Sequence, residues 1–306
     1  MSISYTVCGK KDDKMENLKK IGDSAKMIRE SRGLTIENSA TKKLTKSSIG
    51  RLEQGVDIKT STLLAWIEKF EISFEELLFV ANNYQLTGYQ ALLKKVEQTY
   101  GENREVALKK QLHDAKWYYE NVGKTKRDKL NYLMLKNIIS IYDAEYALDT
   151  REKNQISNHL MSILDWSNYE LALCGNTINA FSGEQFIQLA KSVVSRSKRY
   201  QDVLRNPKVI HNVLINVASS LVDNEDYTQA TYFRNEARKL LKPQDVYERI
   251  VLNFLDGVVE FYTNNHEVGK RKMEQALVAL ESSETFGFLE MYQKRFDEIV
   301  KNSKSS

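Results

Sequence analysis

Between Lys42 and Arg51 the chain reads Lys42-Lys43-Leu44-Thr45-Lys46-Ser47-Ser48-Ile49-Gly50-Arg51, with four cations and no carboxylate. Side chains of these types suit a polyanion: Lys and Arg meet phosphates or guanine, and Ser serves either. Thr45, Lys46, Ser47, Ser48 and Arg51, with Lys42 and Lys43 just before them, are therefore the candidate DNA-contacting residues. A second set lies far along the chain. Asn212 and Asn216 are four apart, so on a helix they share one face. Each amide donates and accepts at once and can clamp the backbone of an extended peptide. An inter-helix hydrogen bond or a solvated edge would use the same spacing. Arg196, Arg199, His211 and Tyr262 are further candidates for lining such a groove. No metal or catalytic constellation accompanies either set. The four His residues are scattered, and Cys8 and Cys174 share no ligand spacing. No phosphate loop, Ser/His/Asp set or paired carboxylate motif occurs, so neither an enzyme nor a cofactor is expected.

The elements that must position these residues are helices. Two prolines and 13 glycines in 306 residues are few, and helices tolerate neither well, so the chain is expected to be all-α. Thr45 caps a short helix and Gly55 stops it, while Ile49 and Leu52, three apart, face a core. Lys46, Ser47, Gly50 and Arg51 are left on its outer face. Before it, Leu18, Ile21, Ala25 and Ile28 mark a helix ending at Arg32-Gly33, and Thr35 caps a second. After it, Thr60-Ser61-Thr62 is expected to cap a fourth helix and Ser73 a fifth. Five short helices, the second and third joined by a tight turn, make a helix-turn-helix domain over 17–80. Residues 1–16 read as a disordered leader and 81–88 as a polar linker. From 89 to 306 the pattern is helical; over 125–147 Leu130, Met134, Ile138 and Ile141 form one apolar stripe and Leu133, Leu135 and Ile139 add others, so that helix is expected to be buried nearly all round.

The charge distribution agrees with a basic binding end. Residues 1–60 hold 13 Lys/Arg against 8 Asp/Glu, whereas the whole chain carries only +4. No apolar run reaches the length of a membrane span and no signal-peptide pattern opens the chain, so a cytoplasmic protein is expected.

Within the domain, Arg29-x3-Gly33-Leu34-Thr35, Ser48-Ile49-x-Arg51-Leu52-Glu53-x-Gly55 and Leu63-x3-Ile67 resemble the repressor-type (Xre/Cro-like) helix-turn-helix family. That resemblance implies an ion pair between Arg29 and Glu53 and places Lys46, Ser47 and Arg51 toward DNA. The turn from Ala40 to Lys46 lacks the usual Gly and is one residue shorter. With Leu44-x-Lys46-Ser47-x-Ile49-x-Arg51-x-Glu53-x-Gly55, the stretch resembles the Rgg family of Gram-positive regulators more narrowly. Their helix commonly has Gln where this chain has Ser48 and Ser where it has Gly50. Gln makes a bidentate contact with adenine and Ser does not, so the operator sequence does not carry over from relatives.

A repeat appears late in the chain. Tyr227-x2-Ala230-x6-Ala237-x3-Leu241 matches, 39 residues on, His266-x2-Gly269-x6-Ala276-x3-Leu280. Small residues seven apart admit a close neighbour, and the pattern resembles the second helix of a tetratricopeptide repeat. Stacked helix pairs form a superhelix whose concave face receives peptides. The Rgg resemblance then implies a promoter-binding transcription regulator whose repeat domain senses a short signalling peptide in quorum sensing, and because one helix-turn-helix reads only a half-site, a homodimer is expected. The alternative is a helical protein-binding scaffold with a vestigial helix-turn-helix.

Overall fold

The computed structural model describes residues 11–86, 88–98, 104–197, 206–283 and 286–303. Among these residues the regular structure is entirely helical. The chain divides into two compact units, 1–107 and 108–306.

The first unit contains α1 (Lys11–Ser31), α2 (Ile36–Ser39), α3 (Lys46–Glu53), α4 (Thr60–Phe70), α5 (Phe74–Ala81) and α6 (Gly88–Gln98). Helix α1 starts at Lys11, inside the stretch expected to be a leader; residues 1–10 lie outside the described part. Its apolar spacing aligns Ala25 and Ile28 with Leu44, Ile49, Leu52, Trp66, Phe70 and Leu77 in one core. Each short helix is set by its first residue. Thr35 accepts the Asn38 N–H, Thr45 the Ser48 N–H, and Ser73 forms a reciprocal capping box with Glu76. Helix α4 departs from expectation. Its first residue is Thr60 itself, so the capping position falls to Lys59, whose side chain makes no such bond. The expected linker at 81–88 does not part the two units: α6 follows it, buries Leu92 and Val96, and belongs to the first.

Helix α7 (Arg104–Tyr118) carries the division and ends in a π-turn over Tyr119–Gly123. The second unit continues with α8 (Lys126–Ser140), α9 (Thr150–Ser162), α10 (Asn168–Thr177) and α11 (Gly183–Arg196). It is completed by α12 (Asn206–Asp223), α13 (Tyr227–Lys239), α14 (Val246–Thr263), α15 (His266–Ser282) and α16 (Phe286–Ser303). These pack as a tetratricopeptide-like stack, in which α12 pairs with α13 and α14 with α15. Ala230, Ala237, Gly269, Ala276 and Leu280 of the repeat are all buried. The reason for Gly269 is geometric: a Cβ there would lie 2.3 Å from the Phe261 backbone nitrogen. Helix α8 buries Leu130, Met134 and Ile138, but it ends at Ser140, leaving Ile141 66% exposed rather than in the expected stripe. The chain turns there because Asp143, held by Lys109 at 2.7 Å, accepts the Glu145 N–H and starts a 3-10 turn at Ala144–Tyr146.

Candidate nucleic-acid interface and ligand face

Helix α3 is held from behind and bare in front. Ile49 and Leu52 are buried, and Gly55, at φ +73°, closes the helix against α1, where a Cβ would lie 2.7 Å from the Lys19 Cα. Lys42, Lys43, Thr45, Lys46, Ser47 and Arg51 are exposed, with Ser48 partly so. Thr45 and Ser48 share a hydroxyl–hydroxyl contact of 2.8 Å that fixes the first turn. Lys46 pairs with Glu37 of α2 at 3.1 Å, a solvent-screened contact that a phosphate can replace. Arg51 reaches the Asp57 carbonyl at 3.4 Å. Lys42 and Lys43 make no ion pair among the described residues. The face thus offers four cations that the fold itself hardly uses.

Behind it, Arg29 and Glu53 are both buried and joined twice, Nε to Oε1 at 2.6 Å and Nη2 to Oε2 at 2.9 Å. Nη1 of the same guanidinium donates to the Leu34 carbonyl at 2.5 Å. The bond to Glu53 raises the Arg29 pKa, against the opposite pull of burial. This fork ties α1 to the C-terminal end of α3 and thereby fixes the angle at which the outer face is presented.

The ligand candidates separate. Asn212 and Asn216 are exposed on α12, and among the described residues neither amide is hydrogen-bonded. Ser219 and Asp223 continue their face at intervals of three and four. There Arg295 of α16 meets them, Nη2 to Asp223 Oδ1 at 2.5 Å and to the Ser219 carbonyl at 3.3 Å. Arg295 therefore closes one end of the Asn face, a role that no local spacing announces.

Two candidates are corrected. Arg196 does not line a groove: its Nη1 donates to the carbonyls of Leu160 (3.2 Å), Met161 (2.9 Å) and Ile163 (2.5 Å), satisfying the end of α9. His211 is 1% exposed, with Nδ1 lying 3.8 Å from Asp245 Oδ2. Burial lowers its pKa while Asp245 opposes that shift, so the ring is a core group. Arg199 lies outside the described residues. Tyr262 remains 41% exposed but stacks on Tyr227 of α13, with ring centroids 5.4 Å apart. Burial pushes the Cys174 thiol up to about 12, which leaves it an inert apolar group. Among the described residues no group of three or more His, Cys, Asp or Glu is placed to hold a metal ion. No helix among them is long and apolar enough to cross a membrane.

Solved structures share this architecture. The SHP pheromone receptor Rgg2 of Streptococcus dysgalactiae is 23% identical, with a TM-score of 0.77 over 91% of this chain and 99% of its own. A putative transcriptional regulator from Listeria monocytogenes EGD-e is 17% identical, with a TM-score of 0.79 over 93% of this chain and 98% of its own. ComR from S. thermophilus, solved in complex with DNA and its signalling peptide ComS, is 16% identical, with a TM-score of 0.62 over 91% and 99%. At such identities the likeness establishes the fold. The family model for the C-terminal domain of the HTH-type transcriptional regulator Rgg matches residues 108–294, more than half of the chain. The chain belongs to the Rgg family of helix-turn-helix transcriptional regulators.

Proposed function

We propose that this chain is a cytoplasmic, homodimeric transcription regulator that binds promoter DNA through α3 and is controlled by a short signalling peptide held against the Asn212/Asn216 face. The observation that carries the DNA half is the pairing of a bare, basic, hydroxyl-bearing outer face on α3 with a buried Arg29–Glu53 fork behind it. A helix that must enter a major groove has to be rigid where it is anchored and small and polar where it meets bases. The peptide half is supported by two amides one turn apart that have no partner among the described residues, with Arg295 closing the end of their face. It is also supported by the relatives: one is a pheromone receptor, and another was solved with DNA and a signalling peptide. A single helix-turn-helix reads one half-site, so a two-fold dimer is the form that reads an operator.

Gel shifts on the DNA flanking its own gene, over a salt series, test the reading. If Lys42, Lys43, Lys46 and Arg51 each meet a phosphate, log K falls against log salt with a slope of about −4 per half-site. Peptide-containing culture medium should change the affinity, and sedimentation should give a mass near twice 35.4 kDa. A strict monomer with no salt-dependent binding sinks the regulator reading and leaves a protein-docking scaffold.

A further inference from the structure

Away from α12, a cavity of about 580 Å³ opens between α13, α14 and α15. Its lining includes Thr231, Asn235, Thr263 and Asn264, which supply hydroxyls and amides. Three cations, Arg234, Arg238 and Lys272, face two carboxylates, Asp256 and Glu260, so one positive charge is in excess. Asp256 is shared: Arg234 Nη1 reaches its Oδ1 at 2.8 Å and Arg238 Nη2 its Oδ2 at 2.5 Å. Lys272 and Glu260 are 3.5 Å apart. The Arg234 side chain is only 14% exposed, yet its Nε has no hydrogen-bond partner among the described residues. A buried guanidinium normally has acceptors for its N–H groups, because an unpaired one forfeits its hydration for nothing. Burial accordingly draws the Arg234 pKa down, and Asp256 only partly opposes it.

We propose that this cavity is a ligand site separate from the Asn212/Asn216 face, and that it takes a small monoanion by placing a carboxylate on Arg234 and Arg238. The size suits a small ligand. Two guanidiniums around one carboxylate leave donor capacity for a second, since each offers five N–H groups in a fixed fork. The charge selects the head group. One excess positive charge is balanced by a carboxylate, whereas a phosphate monoester, at about −1.5 to −2, would overshoot it. The Thr and Asn side chains then require a body with hydrogen-bonding groups rather than an alkyl chain. A free small acid and the C-terminus of a short peptide both present that chemistry.

Isothermal titration at fixed ionic strength with three probes tests the site. They are N-acetylglycine, N-acetyl-tetraglycine with a free carboxylate, and the C-terminal amide of the latter. Both acids should bind the wild-type chain more tightly than the amide, which lacks the carboxylate. Tighter binding of the tetraglycine acid identifies a peptide terminus as the source; equal binding identifies a free acid. Asp256→Asn removes the internal competitor and should strengthen acid binding about tenfold, which a merely structural network would not do. Arg238→Gln, at a side chain 37% exposed and thus least able to disturb folding, should weaken it about tenfold. Binding of the amide as tight as the acid, no heat with either acid, or no gain in Asp256→Asn overturns the proposal. The Asn212→Ala/Asn216→Ala variant should keep its affinity for the probes, so failure of this site and failure of the peptide reading register separately.

Discussion

Each unit of the chain sets an arginine that is largely withdrawn from solvent against a carboxylate, and the two arrangements differ in how completely they are filled. In the first unit Arg29 meets Glu53 through two parallel bonds and spends a third nitrogen on the Leu34 carbonyl. In the second, Arg234 shares Asp256 with Arg238, and its Nε has no acceptor among the described residues, beside an open cavity. The pairs are chemically alike, but only the first is closed on itself. A closed pair fixes a backbone angle, here that of α3 against α1. An open pair keeps unused donors turned to a space that something else can enter. The difference teaches that burial of a charge marks structure when every donor is satisfied and marks a site when one is not.

The comparison breaks most visibly at Arg29. Arg29→Ala leaves Glu53 as a buried carboxylate with no counter-charge, which should cost about 3–5 kcal/mol and unfold or loosen the first unit. Thermal denaturation followed by circular dichroism checks this, and an unchanged melting temperature with altered base preference would reassign Arg29 to DNA. Next in size is the Asn face. Replacing Asn212 and Asn216 together by Ala should remove about 1–3 kcal/mol of peptide affinity per amide that clamps a backbone. Peptide titration reads the loss, while DNA affinity without peptide and the dimer mass should stay as in wild type. Equal peptide affinity in both proteins would move the peptide elsewhere in the stack. Smaller again is the outer face of α3: Lys46→Ala and Arg51→Ala should each weaken operator binding by about 1–3 kcal/mol at a base, and by less at a phosphate. Both side chains are exposed, so melting should not move; wild-type binding in both variants would mean that α3 is not the reader.

What could be read from the sequence follows the range of the interactions. Thr45, Ile49, Leu52 and Gly55 act over three or four residues, and the sequence spacing places each of them where the structure does. The repeat was legible for the same reason, since Ala230, Ala237, Gly269 and Ala276 mark one helix face each. The surroundings of Arg196 and His211 are not legible from local spacing, because they are distant in the chain. Arg196 closes α9 through carbonyls 33 to 36 residues away, and His211 sits beside an aspartate 34 positions on. Arg295, 72 residues from Asp223, gives no local sign at all. Arg234 and Arg238 did leave a faint one: two cations one turn apart, the first of them one turn on from the small repeat residue Ala230.

The finest test concerns Gly50, the one residue on the outer face of α3 with no side chain. Within the fold it has no evident duty: a Cβ placed there meets no heavy atom within 4 Å, unlike Gly55 or Gly269. Gly in the middle of a helix nonetheless forfeits about 1 kcal/mol relative to Ala through backbone entropy. Gly50→Ala should therefore stabilise the first unit by up to about 1 kcal/mol, which for a small domain raises the melting temperature by about 4–8 °C. Denaturation of the variant measures that gain, and a loss of stability would show that the helix needs the bare Cα after all. The DNA arm then sharpens the contrast between closed and open surfaces. If operator affinity falls while the domain grows more stable, the space in front of Gly50 is one the groove wall fills, as an incoming ligand would fill the cavity beside Arg234. If affinity holds, α3 stands far enough from the bases to admit a methyl group there, and Lys46, Ser47 and Arg51 do the reading with their longer reach.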